Sequence, residues 1–498
     1  MQFRPYIAAG ISALLMWAAY PPLDLGLLAL VAPVPLFIAL RSVERGWAAV
    51  GVGFAYGVVF FGALLNYIRI VGVVAWIPLT IWLAATAAGY GLLVWSFRLW
   101  PATRWWLIVV GGWGLWELIR TTLPWGGFPW GVTGYAIGGT PGFLGATQWI
   151  GPSGWSILGV AVAAGIVLVV EDRAHWRLVV DPLVVVFLLA LAGTLLAPRA
   201  DGQVASTAII QGNSPCPQTH CQNENRRIYE SHLALTQTLN PGEVDLVVWP
   251  ENATGTPYDP FTNPEVEQAI ATEAIRLRAY LIISGTRSVS ATEFLNVNMV
   301  YDPSGRKIGE YAKRHPVPFG EFVPLRDLLD FIPQLDRVPR DMVRGDGPVV
   351  FRTSAGNIGT VISFEGAFSR LMRSEVQAGA DLMVITTNNS TWGEAVASDQ
   401  FIDITRVNAA AIGQDVVHAA ITGKSAFIEA DGTVVARSGL LTAEVLRGEV
   451  AFRNVGPTLF SRLGDWVLIV AMAAGVAAVL TPGEGRPERR ERSKEAVA

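Results

Sequence analysis

Charge is scarce in this 498-residue chain. Asp, Glu, Lys and Arg supply only 16% of it, against about 25% in an ordinary soluble domain. The net charge of −4 excludes the strongly basic footprint of a nucleic-acid binder, so no nucleic-acid partner is expected. Cysteine is nearly absent: Cys216 and Cys221 share one polar loop. In an extracytoplasmic domain such a C-x4-C pair reads as a local disulfide. As a metal site it has no nearby ligand beyond His220. Heptads, zinc-ligand spacings, a P-loop and a dinucleotide glycine fingerprint are all missing, and neither metal nor cofactor is expected.

Apolar residues are plentiful, at 51%, but unevenly placed. Residues 1–200 are apolar with few charges, 201–460 have the composition of a soluble domain, and 482–498 form a charged tail. Of 18 Trp, only Trp249 and Trp392 fall in the middle block. The others lie in the apolar parts, where indole rings favour the membrane interface.

A helix needs about 20 mostly apolar residues to cross the hydrocarbon core. Spans are expected near 7–21, 25–40, 47–68, 71–99, 105–118, 154–170, 178–196 and 466–480. The first lacks a convincing cleavage site and more spans follow at once, so it reads as retained. Arg4, Arg41, Arg45, Arg98, Arg104, Arg173 and Arg177 fall on one side, joined by Arg486, Arg489, Arg490, Arg492 and Lys494 of the tail. The opposite short loops hold little more than Arg69 and Arg120. The Arg-rich side is therefore expected to be cytoplasmic. Both termini then lie inside, and 201–460 lies outside between the seventh and eighth spans. Residues 119–153, with Pro124-Trp125-Gly126-Gly127-Phe128-Pro129-Trp130 and Gly151-Pro152, are too broken for a span. They read either as an interfacial segment against the soluble block or as a plain amphipathic loop.

The middle block alternates strands and helices. Strands are expected near 204–211, 244–249, 280–284, 297–301, 307–311, 349–352, 358–363 and 381–386, with a hairpin of 419–429 and 434–437. Helices are expected near 223–239, 264–279, 367–378 and 399–414. This order suggests an α/β sandwich.

Three positions invite chemistry. Glu251 follows an apolar strand in Val247-Val248-Trp249-Pro250-Glu251, where apolar neighbours raise a carboxylate's pKa and suit it to proton transfer. A lone loop Glu is more commonly solvated. Lys313 lies in Tyr311-Ala312-Lys313-Arg314-His315-Pro316-Val317-Pro318, where prolines fix the backbone and could hold the ammonium near a developing oxyanion. Ser363 ends a strand in Val361-Ile362-Ser363-Phe364-Glu365-Gly366, a common placement for a nucleophile, although a lone Ser is more often a structural hydrogen-bonding group.

Together these stretches resemble the nitrilase superfamily, whose members use a Glu-Lys-Cys triad on an αββα sandwich. Val248-Trp249-Pro250-Glu251 looks like its Glu motif, and Lys313 with Glu321 in Pro318-Phe319-Gly320-Glu321-Phe322-Val323-Pro324 like its Lys motif. The longer phrase is similar to that of the membrane-embedded apolipoprotein N-acyltransferases. So are Thr387-Asn388-Asn389-Ser390-Thr391-Trp392-Gly393, Tyr20-Pro21-Pro22, Gly62-Ala63-Leu64-Leu65-Asn66-Tyr67, and Glu117-Leu118-Ile119-Arg120 with Gly127-Phe128-Pro129-Trp130.

The resemblance implies a nitrilase-like domain inserted between transmembrane helices 7 and 8, in a bacterial cytoplasmic membrane. It implies transfer of an acyl chain from a phospholipid donor to the N-terminal amine of a diacylglyceryl-cysteine lipoprotein. Glu251 would be the base, Lys313 the oxyanion stabiliser and Ser363 the nucleophile, with Glu321, Phe364, Glu365 and Trp392 in support. The sequence departs from the family in three places. Ser363 stands where the family has Cys, Phe364 where it has Tyr, and the segment after Gln211-Gly212-Asn213 has no Trp. Two alternatives follow from the Ser: a catalytically impaired paralogue that binds lipid, lipoprotein or a partner protein, and a nitrilase-type amidase or acyl hydrolase.

Overall fold

The computed structural model describes residues 3–481 apart from His220, Asp330 and Asn454. The tail and the possible ligand His220 thus lie outside the described residues. The first part is helical, because only internally bonded backbone tolerates hydrocarbon. Its helices are α1 (Arg4–Ala18), α2 (Val34–Ser42), α3 (Gly46–Leu64), α4 (Val73–Ser96), α5 (Ala102–Thr122), α6 (Thr133–Gly138), α7 (Thr147–Glu171) and α8 (Arg177–Leu195).

Among the described residues, four helical runs are long and apolar enough to cross a membrane: Gly46–Leu64, Val73–Ser96, Leu144–Glu171 and Arg173–Leu195. The chain is a membrane protein. The run containing α7 is mostly enclosed by protein, whereas the one containing α8 is largely bare. The span expected at 25–40 is not one helix. A 3-10 turn, Gly26–Leu30, precedes α2, because Pro33 and Pro35 cannot donate to a preceding turn and start a new helix instead. Residues 119–153 are no plain loop either. They contain α6 and the start of α7, which kinks where Gly151 adopts φ 66° before Pro152.

The second part is a four-layer sandwich. Its strands are β1 (Val204–Gln211), β2 (Leu246–Val248), β3 (Tyr280–Ser288), β4 (Glu293–Tyr301), β5 (Lys307–Ala312), β6 (Asp341–Met342), β7 (Val350–Arg352), β8 (Asn357–Ile362), β9 (Leu382–Thr387), β10 (Val416–Ala420), β11 (Ala426–Ile428), β12 (Val434–Arg437) and β13 (Glu444–Ala451). Its helices are α9 (Glu224–Gln237), α10 (Pro264–Leu277), the short α11 (Arg326–Leu329), α12 (Ser369–Gln377) and α13 (Ala397–Ile412). After it come α14 (Leu459–Leu463) and the apolar α15 (Trp466–Leu480).

One sheet runs β13-β1-β2-β3-β4-β5, with β6 beside β4; the other runs β12-β11-β10-β9-β8-β7. Ile209, Val248, Ile282 and Tyr311 of the first sheet meet Ile358, Ile362, Val384 and Val417 of the second. The first sheet's outer face packs on α9 and α10 through Tyr229, Val266, Ile270 and Ala274. The second sheet's outer face packs on α12 and α13 through Val361, Met383, Ile385, Phe401 and Val407, in one core continuous with the membrane helices.

Two expectations change. The strand expected at 419–429 is two, β10 and β11, parted by a bend over residues 421–425. β13 was not expected: it is an edge strand paired with β1 alone, and it lacks a buried apolar run. Cys216 and Cys221 form a disulfide.

Candidate active site

The strands β2, β5, β8 and β9 deliver their C-terminal ends to one place. Glu251, three residues past β2, is 3% exposed. One oxygen accepts from Asn296 Nδ2 at 2.7 Å and from Lys313 Nζ at 3.4 Å, and the other accepts the Asn388 backbone N–H at 2.8 Å. Lys313 follows β5 and is fully buried. Its ammonium also donates to Glu321 at 2.5 Å, whose second oxygen takes the Val317 N–H at 2.7 Å. Ser363 follows β8 with φ 56°. A side chain with positive φ is uncommon and costs about 1–3 kcal/mol, and such positions cluster at functional turns. The hydroxyl of Ser363 is among the groups that favour the ionised form of the Glu251 carboxylate. Thr387, at the end of β9, donates to the Ser363 hydroxyl at 3.4 Å.

Burial raises the pKa of Glu251, and the nearby Glu321 adds to this; Lys313, Ser363 and the Asn388 amide oppose it. Burial pulls Lys313 down, but Glu321 and Glu251 together outweigh it and hold the ammonium above its ordinary value. The site therefore pairs a permanent cation with a carboxylate that is easily protonated.

Glu365 braces the arrangement. One oxygen accepts the backbone N–H of Arg314 at 2.7 Å and of His315 at 2.9 Å; the other accepts Ile362 N–H and the Tyr311 hydroxyl, each at 2.8 Å. Burial leads the upward shift of its own pKa. Phe364 lies between two flat partners, Trp130 (5.8 Å, 12°) and His315 (5.8 Å, 20°). Burial, followed by the charges of Arg370, Arg344 and Lys313, pushes His315 down to about 3. It is neutral and serves as an aromatic plate. Trp392 packs edge-on against Tyr67 at 5.0 Å, at the junction with the helical part.

The helical part reaches into this region. Arg370 donates to the carbonyls of Thr121 (3.0 Å) and Gly126 (2.8 Å), and the Tyr135 hydroxyl to Ala367 (2.9 Å). Gly126 is required: it has φ 99°, and a Cβ there would lie 1.9 Å from His315 Cε1. Trp130 Nε1 donates to Gln400 Oε1 at 3.1 Å, and Gln400 Nε2 donates to the carbonyls of Pro21 and Leu64, each at 3.3 Å.

Sequence reasoning missed Asn296 and Thr387 as partners of Glu251 and Ser363. Asn296 left one signal, a polar residue in the apolar alternation Leu295-Asn296-Val297. Thr387 left none beyond its place at a strand end.

A buried Glu-Lys pair at the strand ends of an αββα sandwich fits the carbon-nitrogen hydrolase class, with the Ser363 hydroxyl at the place of its thiol. The chain matches the model "Carbon-nitrogen hydrolase" over residues 206–459 and "Apolipoprotein N-acyltransferase N-terminal domain" over 12–165. It is 29% identical to an apolipoprotein N-acyltransferase of Geobacter metallireducens, covering 96% of this chain and 94% of that protein. It is 27% identical to one of Gloeobacter violaceus, covering 95% and 93%. A carbon-nitrogen hydrolase structure from Helicobacter pylori is 17% identical, with a TM-score of 0.38, over 50% of this chain and 89% of that one. The chain belongs to the carbon-nitrogen hydrolase family and, within the nitrilase superfamily, to its apolipoprotein N-acyltransferases.

Proposed function

We propose that the chain moves an acyl group from a phospholipid to the N-terminal amine of a diacylglyceryl-cysteine lipoprotein, by way of an ester on Ser363. The reading rests on one observation: two adjacent residues, Thr387 and Asn388, bond the Ser363 hydroxyl and the Glu251 carboxylate respectively, and that carboxylate also takes Lys313. Glu251 takes the Ser363 proton as Oγ attacks the acyl carbonyl carbon. Lys313 faces the developing oxyanion. The intermediate collapses, the ester bond to the lysophospholipid breaks, and Glu251 returns the proton to the departing alkoxide. The lipoprotein amine then attacks the acyl-serine carbonyl. Glu251 accepts a proton from the amine, an amide forms, and Ser363 leaves and is reprotonated. No cofactor enters the balance.

Both substrates are anchored in lipid, so the site serves them only beside the membrane. The proposal assigns 1–200 to a transmembrane bundle, 201–460 to the nitrilase-like domain and 461–481 to a last helix. The Arg distribution supports an extracytoplasmic site with both termini cytoplasmic.

The test is complementation of a strain that lacks lipoprotein N-acylation. The native chain and Ser363→Cys should rescue and Ser363→Ala should not. Rescue by the Cys form alone would leave the native chain a binding role.

A further inference from the structure

Arg120 sits in the last turn of α5 and is fully buried. Its guanidinium donates to the carbonyls of Trp130 at 2.8 Å and Gly131 at 2.6 Å. Glu117, one turn earlier and 3.6 Å away, accepts the Thr133 N–H at 2.9 Å and Trp113 Nε1 at 3.2 Å on one oxygen. The two side chains therefore grip three residues of one short segment. They do so at a cost. Glu117 Oε2 and Arg120 Nε are buried without a hydrogen-bond partner, and each ion taken from water costs several kcal/mol. Apolar residues would pack the helix end more cheaply.

The gripped segment carries the ring that matters. Trp130 lies flat against Phe364, the residue after Ser363, and Phe128 packs on both at 5.6 and 5.7 Å. The Phe128–Trp130–Phe364 cluster, next in sequence to Ser363, is thus half sandwich and half bundle; Gln400 bonds the Trp130 indole, and Arg120 holds the backbone that carries it. We propose that Arg120, with Glu117, is a positioning residue that sets the Trp130–Phe364 wall and through it the acyl length the site accepts. The acyl-length part rests on the acyl-transfer reading above.

The full chain in detergent, wild type against Arg120→Met and Arg120→Lys, tests this with two readouts. One is amide hydrogen exchange over 127–133 and 363–368. The other is the ratio of the half-saturating concentration of p-nitrophenyl palmitate to that of p-nitrophenyl acetate in the single burst of p-nitrophenol released as Ser363 is acylated. In Arg120→Met exchange should quicken in both segments and the ratio should rise about tenfold, since small misplacements of a substrate wall carry effects of that order or more. Arg120→Lys, which keeps the charge but not the fork to two carbonyls, should fall between. If the Met variant exchanges fast throughout the chain, the Lys variant decides. Equal losses on both esters, or unchanged exchange at 363–368, would overturn the assignment. A wild-type chain inert toward both esters would overturn the acyl-transfer reading and the length claim with it. The exchange data would still decide whether Arg120 holds the wall.

Discussion

Glu365 takes the backbone N–H of Arg314 at 2.7 Å on one oxygen and that of Ile362 at 2.8 Å on the other. One buried carboxylate thus ties the turn bearing Ser363 to the strand end bearing Lys313. The four bonds to Glu365 hold the turn bearing Ser363 against the strand end bearing Lys313.

Replacing Glu365 by Gln should therefore damage both stability and chemistry. A carboxamide offers one acceptor oxygen, so it turns an NH2 group toward N–H donors on one side. Leaving buried donors unpaired costs about 1–3 kcal/mol each. Thermal unfolding of the full chain in detergent should show a lower midpoint, and acyl transfer should fall with it. A variant of wild-type stability would mean that Glu365 does not bear on the turn.

Glu251→Gln should lower acyl transfer about 100- to 10,000-fold, the usual contribution of a positioned general base. The pH profile carries a sharper expectation. The base works as the carboxylate, and burial raises its pKa above the ordinary 4.5. Activity should then be lost on acidification along a limb lying above 4.5. A limb at or below that value would remove Glu251 from the role.

Ser363 should carry an acyl adduct, seen by intact-protein mass spectrometry of the chain in lipid-containing membranes. Ser363→Ala should carry none. Ser363→Cys should acylate faster, because a thiol ionises near pH 8.5 and each pK unit saved is worth about 1.4 kcal/mol. An adduct that survives in the Ala form would place the nucleophile elsewhere.

His315 links stability to pH. Folded, it is held down to about 3 against an ordinary 6.5. As pH falls through 6.5 the unfolded chain takes up a proton that the folded chain refuses, so stability falls from there toward pH 3. His232, at about 4, and His418, at about 3, act with the same sign. In His315→Gln the decline in unfolding midpoint between pH 6.5 and 4 should be shallower than in wild type, though not absent. An identical decline would show that His315 is not the neutral plate beside Phe364.

By itself the sequence determined what is local. Long apolar runs marked helices such as α3 and α4, short apolar runs and turn residues marked strands such as β1, β8 and β9, and strand ends marked Glu251 and Ser363. These features were legible because period and capping act over a few neighbouring residues. Only the tertiary structure decided that Asn296 and Asn388 hold Glu251, that Thr387 reaches Ser363, that Gln400 bonds Trp130, Pro21 and Leu64, and that β13 closes the first sheet. Those partners lie tens to hundreds of positions apart, and their meeting depends on strand order and on how the sandwich seats against the membrane helices. No pattern along the chain encodes either, because the hydrogen bonds concerned form only after the layers have packed and fixed which ends face each other.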